Sequence, residues 1–87
     1  MTQPKITVYT TKVCPYCVRA KNILGRNGLA YEEVDVSADD ARQALVVKSG
    51  RRTVPQIYIG DHHVGGSDDL MEIEASGELK RLTSGAV

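Results

Sequence analysis

The spacing of apolar residues along the chain switches between two periods. Ile6 and Val8 alternate with Thr7 and Tyr9, so Lys5 to Thr10 reads as a half-buried strand. After Pro15, whose missing N–H is tolerated in a first helical turn, Cys17, Ala20, Ile23 and Leu24 recur at helical spacing until Asn27-Gly28. Tyr31 to Val36 reads as a second strand. Ser37, with Asp40 three residues on, resembles a capped helix start; Ala41, Ala44, Leu45 and Lys48 mark one face up to a stop at Gly50. Gln56 to Ile59, the Gly60-Asp61 pair and His62 to Val64 predict a hairpin, which Gly65-Gly66 ends. Ser67 is placed to cap a third helix, with Asp68 and Asp69 in its first turn, Leu70, Met71 and Ile73 on its packing side and Gly77 as its end. A short amphipathic tail follows around Leu79 and Leu82.

The predicted order is β-α-β-α-β-β-α. Strands joined through a helix run parallel and a hairpin runs antiparallel, so the expected architecture is a small four-stranded mixed sheet flanked by helices. This is a thioredoxin-like α/β fold, although the pattern alone does not choose it over other small α/β sandwiches. Residues 1–87 are expected to form a single domain, since 87 residues leave room for one modest core. No repeat or linker interrupts them. With 41% hydrophobic and 25% charged residues, the chain is an ordinary globular one and not a disordered or disulfide-scaffold sequence. No apolar run approaches the roughly 20 residues needed to span a bilayer, and no signal-peptide core follows Met1-Thr2-Gln3-Pro4-Lys5. The expected location is the cytoplasm, with no membrane partner.

Formal charge is zero, which removes the bulk electrostatic argument for nucleic acid as a partner. The charges are uneven along the chain: residues 1–52 carry +4 and the remainder −4. Packed together, these halves intermix as solvated charges or leave a bipolar surface suited to a small zwitterion.

The chemistry concentrates in Cys14-Pro15-Tyr16-Cys17, which holds both cysteines of the chain. A C-x-x-C between a strand and a helix in a cytosolic chain reads as a redox dithiol. Cys14 falls near the N-cap, where unpaired N–H groups and the helix dipole favour a thiolate; Cys17 lies one turn on, within reach of the same sulfur. Lys12 adds positive charge nearby, and a Cys14 pKa lowered into the range of roughly 3.5 to 7.5 is expected. Moving a thiol from about 8.5 to about 5 raises its ionised fraction at neutral pH roughly 30-fold. Lower intrinsic nucleophilicity offsets this roughly 25- to 60-fold, so the main gain is as a leaving group. Zinc is disfavoured because the only histidines, His62 and His63, are adjacent and read as exposed hairpin residues. No metal site is expected. A structural disulfide closing so small a loop removes little entropy from the unfolded chain.

Thr11-Lys12 before the dithiol, Thr53-Val54-Pro55, and Gly65-Gly66-Ser67-Asp68-Asp69 complete a set of motifs that resembles the dithiol glutaredoxins of small bacterial type, from about Ile6 to Leu82. The resemblance implies a glutathione-dependent disulfide oxidoreductase serving electron transport and cell redox homeostasis. Cys14 would be the nucleophile and Cys17 the resolving thiol. It further implies that Thr53, Val54 and Pro55 face the dithiol, with a cis bond before Pro55. Glutathione would be a co-substrate, with no tightly bound cofactor. Its γ-glutamyl end suits Gly66, Ser67 and Asp68, since glycine permits close approach, helix N–H groups hold a carboxylate and the Asp68 side chain pairs with the ammonium. Lys12 and Arg42 would take the glycine carboxylate, with Arg51 and Arg52 as rivals, and Tyr16 would shape the entrance. Tyr9, Tyr31 and Tyr58 are assigned structural places in strands. Ser67 stands where many relatives carry a further cysteine.

Expected partners are glutathione and disulfide-containing or glutathionylated proteins, ribonucleotide reductase among the candidates, acting on a monomer. Two alternatives stay open: an iron–sulfur carrier ligated by Cys14 and glutathione, which relatives with Pro15 and Cys17 typically are not, and a redoxin reduced by thioredoxin reductase.

Overall fold

The computed structural model describes residues 4–83; Met1 to Gln3, where a signal peptide would begin, and residues 84–87 lie outside them. The elements run β1 (Ile6–Thr10), α1 (Pro15–Arg26), β2 (Glu32–Asp35), α2 (Asp39–Ser49), β3 (Gln56–Ile59), β4 (His62–Gly65), α3 (Ser67–Ser76) and α4 (Glu78–Thr83). The strands form one sheet in the order β2-β1-β3-β4. β1 and β2 are parallel, whereas β1–β3 and β3–β4 are antiparallel. The fold is the mixed, thioredoxin-like sheet that the alternation of elements implies. The tail that continues α3 is a helix of its own, α4, anchored by the buried Leu79.

Alternation on β1 decides where the core sits. Ile6, Val8 and Thr10 are buried, and Ile6 and Val8 pair in register with Ile59 and Ile57 of β3. Ala20, Ile23 and Leu24 of α1, Leu70 of α3 and Leu79 cover this face. Each fully buried aliphatic side chain here contributes roughly 1.5 to 3 kcal/mol relative to exposure. That packing fixes the N-terminal ends of α1 and α3 on the sheet. Among the described residues, no helix is long and apolar enough to cross a membrane.

Three local expectations need correction. Ser37 does not cap α2. Its N–H is taken by the Asp35 carboxylate at 2.7 Å and its hydroxyl accepts the Lys12 N–H at 3.3 Å, so the helix begins after Ala38, which makes no side-chain cap bond. The hydroxyl oxygen that would have capped the helix is occupied by the Lys12 N–H instead. Ala44 and Lys48 are exposed, and the packed edge of α2 runs instead through Ala41, Leu45 and Ser49. Ser67 is the first residue of α3 and not its cap; Gly66 occupies the cap, and the Asp69 carboxylate accepts the Gly66 N–H at 2.9 Å. The oppositely charged halves interleave through Arg19–Asp68, Arg26–Glu74 and Arg51–Asp69 ion pairs.

Candidate functional site: the dithiol and its cavity

Cys14 caps α1 from an extended conformation, φ −154° and ψ 98°, with Pro15 in the first turn. This geometry turns the sulfur over the open helix end, where it accepts the Cys17 N–H at 3.1 Å. A sulfur held against a helix N–H is stabilised as an anion, by hydrogen bonding and by the dipole together. Cys14 and Cys17 are joined as a disulfide. The two sulfurs are not equivalent: Cys17 is 2% exposed within the core layer, whereas Cys14 is only half-buried. An incoming thiolate therefore meets Cys14 first.

Opposite the dithiol, the chain between α2 and β3 turns through Thr53, Val54 and Pro55, and the Val54–Pro55 peptide is cis. The Val54 carbonyl oxygen lies 3.8 Å from the Cys14 sulfur. The disulfide has no thiol proton, so this is a contact in the oxidised protein and a hydrogen bond is available only to a reduced thiol.

A cavity of about 200 Å³ opens next to the dithiol, along Tyr16 and Val54, although neither cysteine is among its lining residues. Tyr16 forms one side, Thr53, Val54 and Pro55 a second, and Gly66, Ser67 and Asp68 a third; Arg51 and Asp69 complete it. Tyr16 is 58% exposed, which leaves its ring at the entrance. The first N–H groups of a helix have no intrahelical partner, and the residues that open α3, Ser67 and Asp68, line this corner. Charges of both signs line one small space, as a zwitterionic peptide would require.

The structure does not bring every candidate to this cavity. Lys12 is exposed on the loop before the dithiol, and Arg42 is exposed near the start of α2; neither lines it. Arg51 does, with its guanidinium 3.1 Å from Asp69. Asp68 is held by Arg19 at 3.2 Å. Asp69 is kept below the ordinary carboxylate range, first by the Gly66 N–H and then by Arg51. Behind this wall lie two residues that the reading of motifs passed over. Gln56, fully buried, donates to the Thr53 carbonyl at 2.9 Å, and its other end meets His63. His63 is half-buried rather than an exposed hairpin residue, because its ring stacks on Tyr58 at 4.6 Å. A glutamine opening an otherwise apolar strand was the available signal.

The family model for glutaredoxins matches residues 6–64, well over half of the chain. The chain belongs to the glutaredoxin family. A glutaredoxin of Pseudomonas aeruginosa is 46% identical over 82 residues, covering 93% of this chain and 98% of the relative. Among solved structures, the glutaredoxin of Brucella melitensis aligns with a TM-score of 0.85 at 42% identity, covering 100% of this chain and 97% of that one. A buckwheat glutaredoxin solved as a glutathione complex aligns with a TM-score of 0.84 at 31% identity, covering 94% of this chain and 77% of that one. As a glutaredoxin with both cysteines in place, the protein is a thiol–disulfide oxidoreductase.

Proposed function

We propose that this glutaredoxin uses glutathione to reduce protein disulfides and glutathione mixed disulfides in the cytoplasm, through Cys14 and Cys17. The observation that carries the reading is a cavity lined by both charge signs and by the start of α3, one of whose walls, Val54, adjoins the sulfur of the more accessible cysteine. The buckwheat relative's complex with glutathione supports it.

The chemistry follows from the asymmetry of the two sulfurs. The Cys14 thiolate attacks a substrate disulfide, forming a mixed disulfide and expelling a substrate thiolate, which takes a proton. With a protein disulfide, Cys17 then gives up its proton and attacks the Cys14 sulfur, releasing the second substrate thiol and leaving the Cys14–Cys17 disulfide. One glutathione thiolate opens that disulfide at Cys14, returning Cys17 as a thiol. A second attacks the glutathione sulfur, giving oxidised glutathione and the Cys14 thiolate. With a glutathione mixed disulfide, the Cys14 thiolate attacks the glutathione sulfur and expels the substrate thiolate, which takes a proton; the resulting Cys14–glutathione disulfide is then cleared by this last step, so Cys14 alone is needed. The stabilised Cys14 anion helps chiefly as the leaving group in that step.

Gly66, Ser67 and Asp68 are assigned to the γ-glutamyl end, the Thr53-Val54-Pro55 turn to the central peptide and Tyr16 to the entrance. For the glycine carboxylate, Arg51 is the cation on the cavity wall, while Lys12 and Arg42 would have to reach in from outside. The test is an assay with glutathione, glutathione reductase, NADPH and a small glutathione mixed disulfide. Cys14→Ser should abolish turnover and Cys17→Ser should retain it. Turnover by Cys14→Ser, or none by the wild type, would refute the assignment.

A further inference from the structure

Behind the Thr53 side of the cavity, a chain of hydrogen bonds runs from His63 on β4 through Gln56 on β3 to Thr53. The Gln56 amide nitrogen lies 2.9 Å from the Thr53 carbonyl oxygen and 3.2 Å from its hydroxyl oxygen. A carbonyl can only accept, which fixes the amide: its nitrogen faces Thr53 and its oxygen faces His63. That oxygen is 2.6 Å from His63 Nε2. Because an amide oxygen only accepts, His63 must carry a proton on Nε2. Burial and the nearby Arg51 both push the His63 pKa down, against an opposing pull from Asp69, so the neutral Nε2–H tautomer is the form this arrangement selects.

The ring cannot swing away freely. It stacks on Tyr58 with planes 14° apart, and the Lys48 ammonium lies 4.7 Å from the Tyr58 ring centre. Gln56 has no exposed surface, so losing His63 would leave a buried amide oxygen unpaired and free the amide to turn. At the other end, Gln56 fills one lone pair of the Thr53 hydroxyl and leaves its proton for an acceptor in the cavity. Thr53 also precedes Val54, whose carbonyl faces the Cys14 sulfur.

We propose that His63 is a positioning residue: through Gln56 it orients Thr53 so that its hydroxyl donates to a peptide oxygen of the bound ligand, setting affinity without touching the reacting sulfurs. This rests on the glutathione reading above.

The test compares His63→Phe, which keeps the stacking ring and removes the donor, with His63→Gln, whose amide restores an N–H near the same place. In the glutathione-coupled assay, His63→Phe should raise KM for the glutathione mixed disulfide by ~5- to 10-fold, the equivalent of one lost hydrogen bond, with kcat within about 2-fold. His63→Gln should recover most of the loss. Nitrogen NMR of the wild type should show the Nε2–H tautomer of His63, a readout independent of how either variant folds. An unchanged KM in His63→Phe, no recovery in His63→Gln, or an Nδ1–H tautomer would overturn the proposal while wild-type turnover kept the glutathione reading intact. Absence of wild-type turnover would refute both.

Discussion

Asp69 ties two walls of the cavity together, and replacing it separates a charge from a hydrogen bond. One carboxylate oxygen accepts the Gly66 N–H at 2.9 Å and faces the Arg51 guanidinium at 3.1 Å. Asp69→Ala removes both. A helix-terminal hydrogen bond of this kind contributes about 1 kcal/mol, and an ion pair whose partners are 48% and 44% exposed adds about 0.5 kcal/mol. The expected loss is therefore ~1.5 kcal/mol, or ~6 to 12 °C in Tm for a domain of this size. Asp69→Asn can still accept from Gly66 and should lose only about a third of that. The pH dependence has a definite sign. The folded-state pKa of Asp69 lies below its ordinary value of 3.8, so this stabilisation is present above that value and fades as pH falls through the folded pKa. Urea denaturation of wild type and both variants at neutral pH, repeated in acid, measures each part. Because Gly66 and Arg51 both line the cavity, KM in the glutathione-coupled assay should rise in Asp69→Ala more than in Asp69→Asn. Equal stabilities for Ala and Asn variants, or a wild-type advantage that persists unchanged in strong acid, would refute this account.

Two further outcomes follow from the same structure. Gly65 has φ +114°, and a Cβ there would collide with the Asp69 carboxylate; Gly65→Ala should cost about 2 kcal/mol or more in urea denaturation and disturb the same corner of the cavity. Glu74 on α3 accepts from both Arg26 and Asn27 at the end of α1, which lowers its pKa to about 2, the Arg26 hydrogen bond contributing most. Its stabilising effect should hold above about 4.5 and disappear as pH falls toward about 2. In Glu74→Gln the acid limb of the stability curve should be flatter than in the wild type; an identical limb would contradict the role given to this pair.

By itself the sequence determined the type and order of the elements, because strand and helix periods are local properties. Val8 flanked by Thr7 and Tyr9, and Ala20, Ile23 and Leu24 at helical spacing, can each bury only one face. It also determined where the sulfur chemistry lies, since a cysteine before Pro15 at a strand-to-helix junction needs only neighbouring residues to reach the helix end. Caps were less legible. The Ser37 hydroxyl is taken by the Lys12 N–H, and Asp69 reaches back to Gly66, so each cap depended on which of several available partners the folded chain brought within reach.

Only the tertiary structure decided which distant groups share the cavity. Arg51 and Arg42 are equally charged, yet only Arg51 lies on its wall, because it leads directly into the turn facing Cys14 whereas Arg42 sits near the start of α2. Tertiary packing also made Gln56 and His63 partners, since pairing β3 with β4 sets their register and burial leaves the Gln56 amide no water to turn to. Periodicity fixes what one segment wants to bury. Which polar groups must then satisfy one another is settled only when the sheet is assembled.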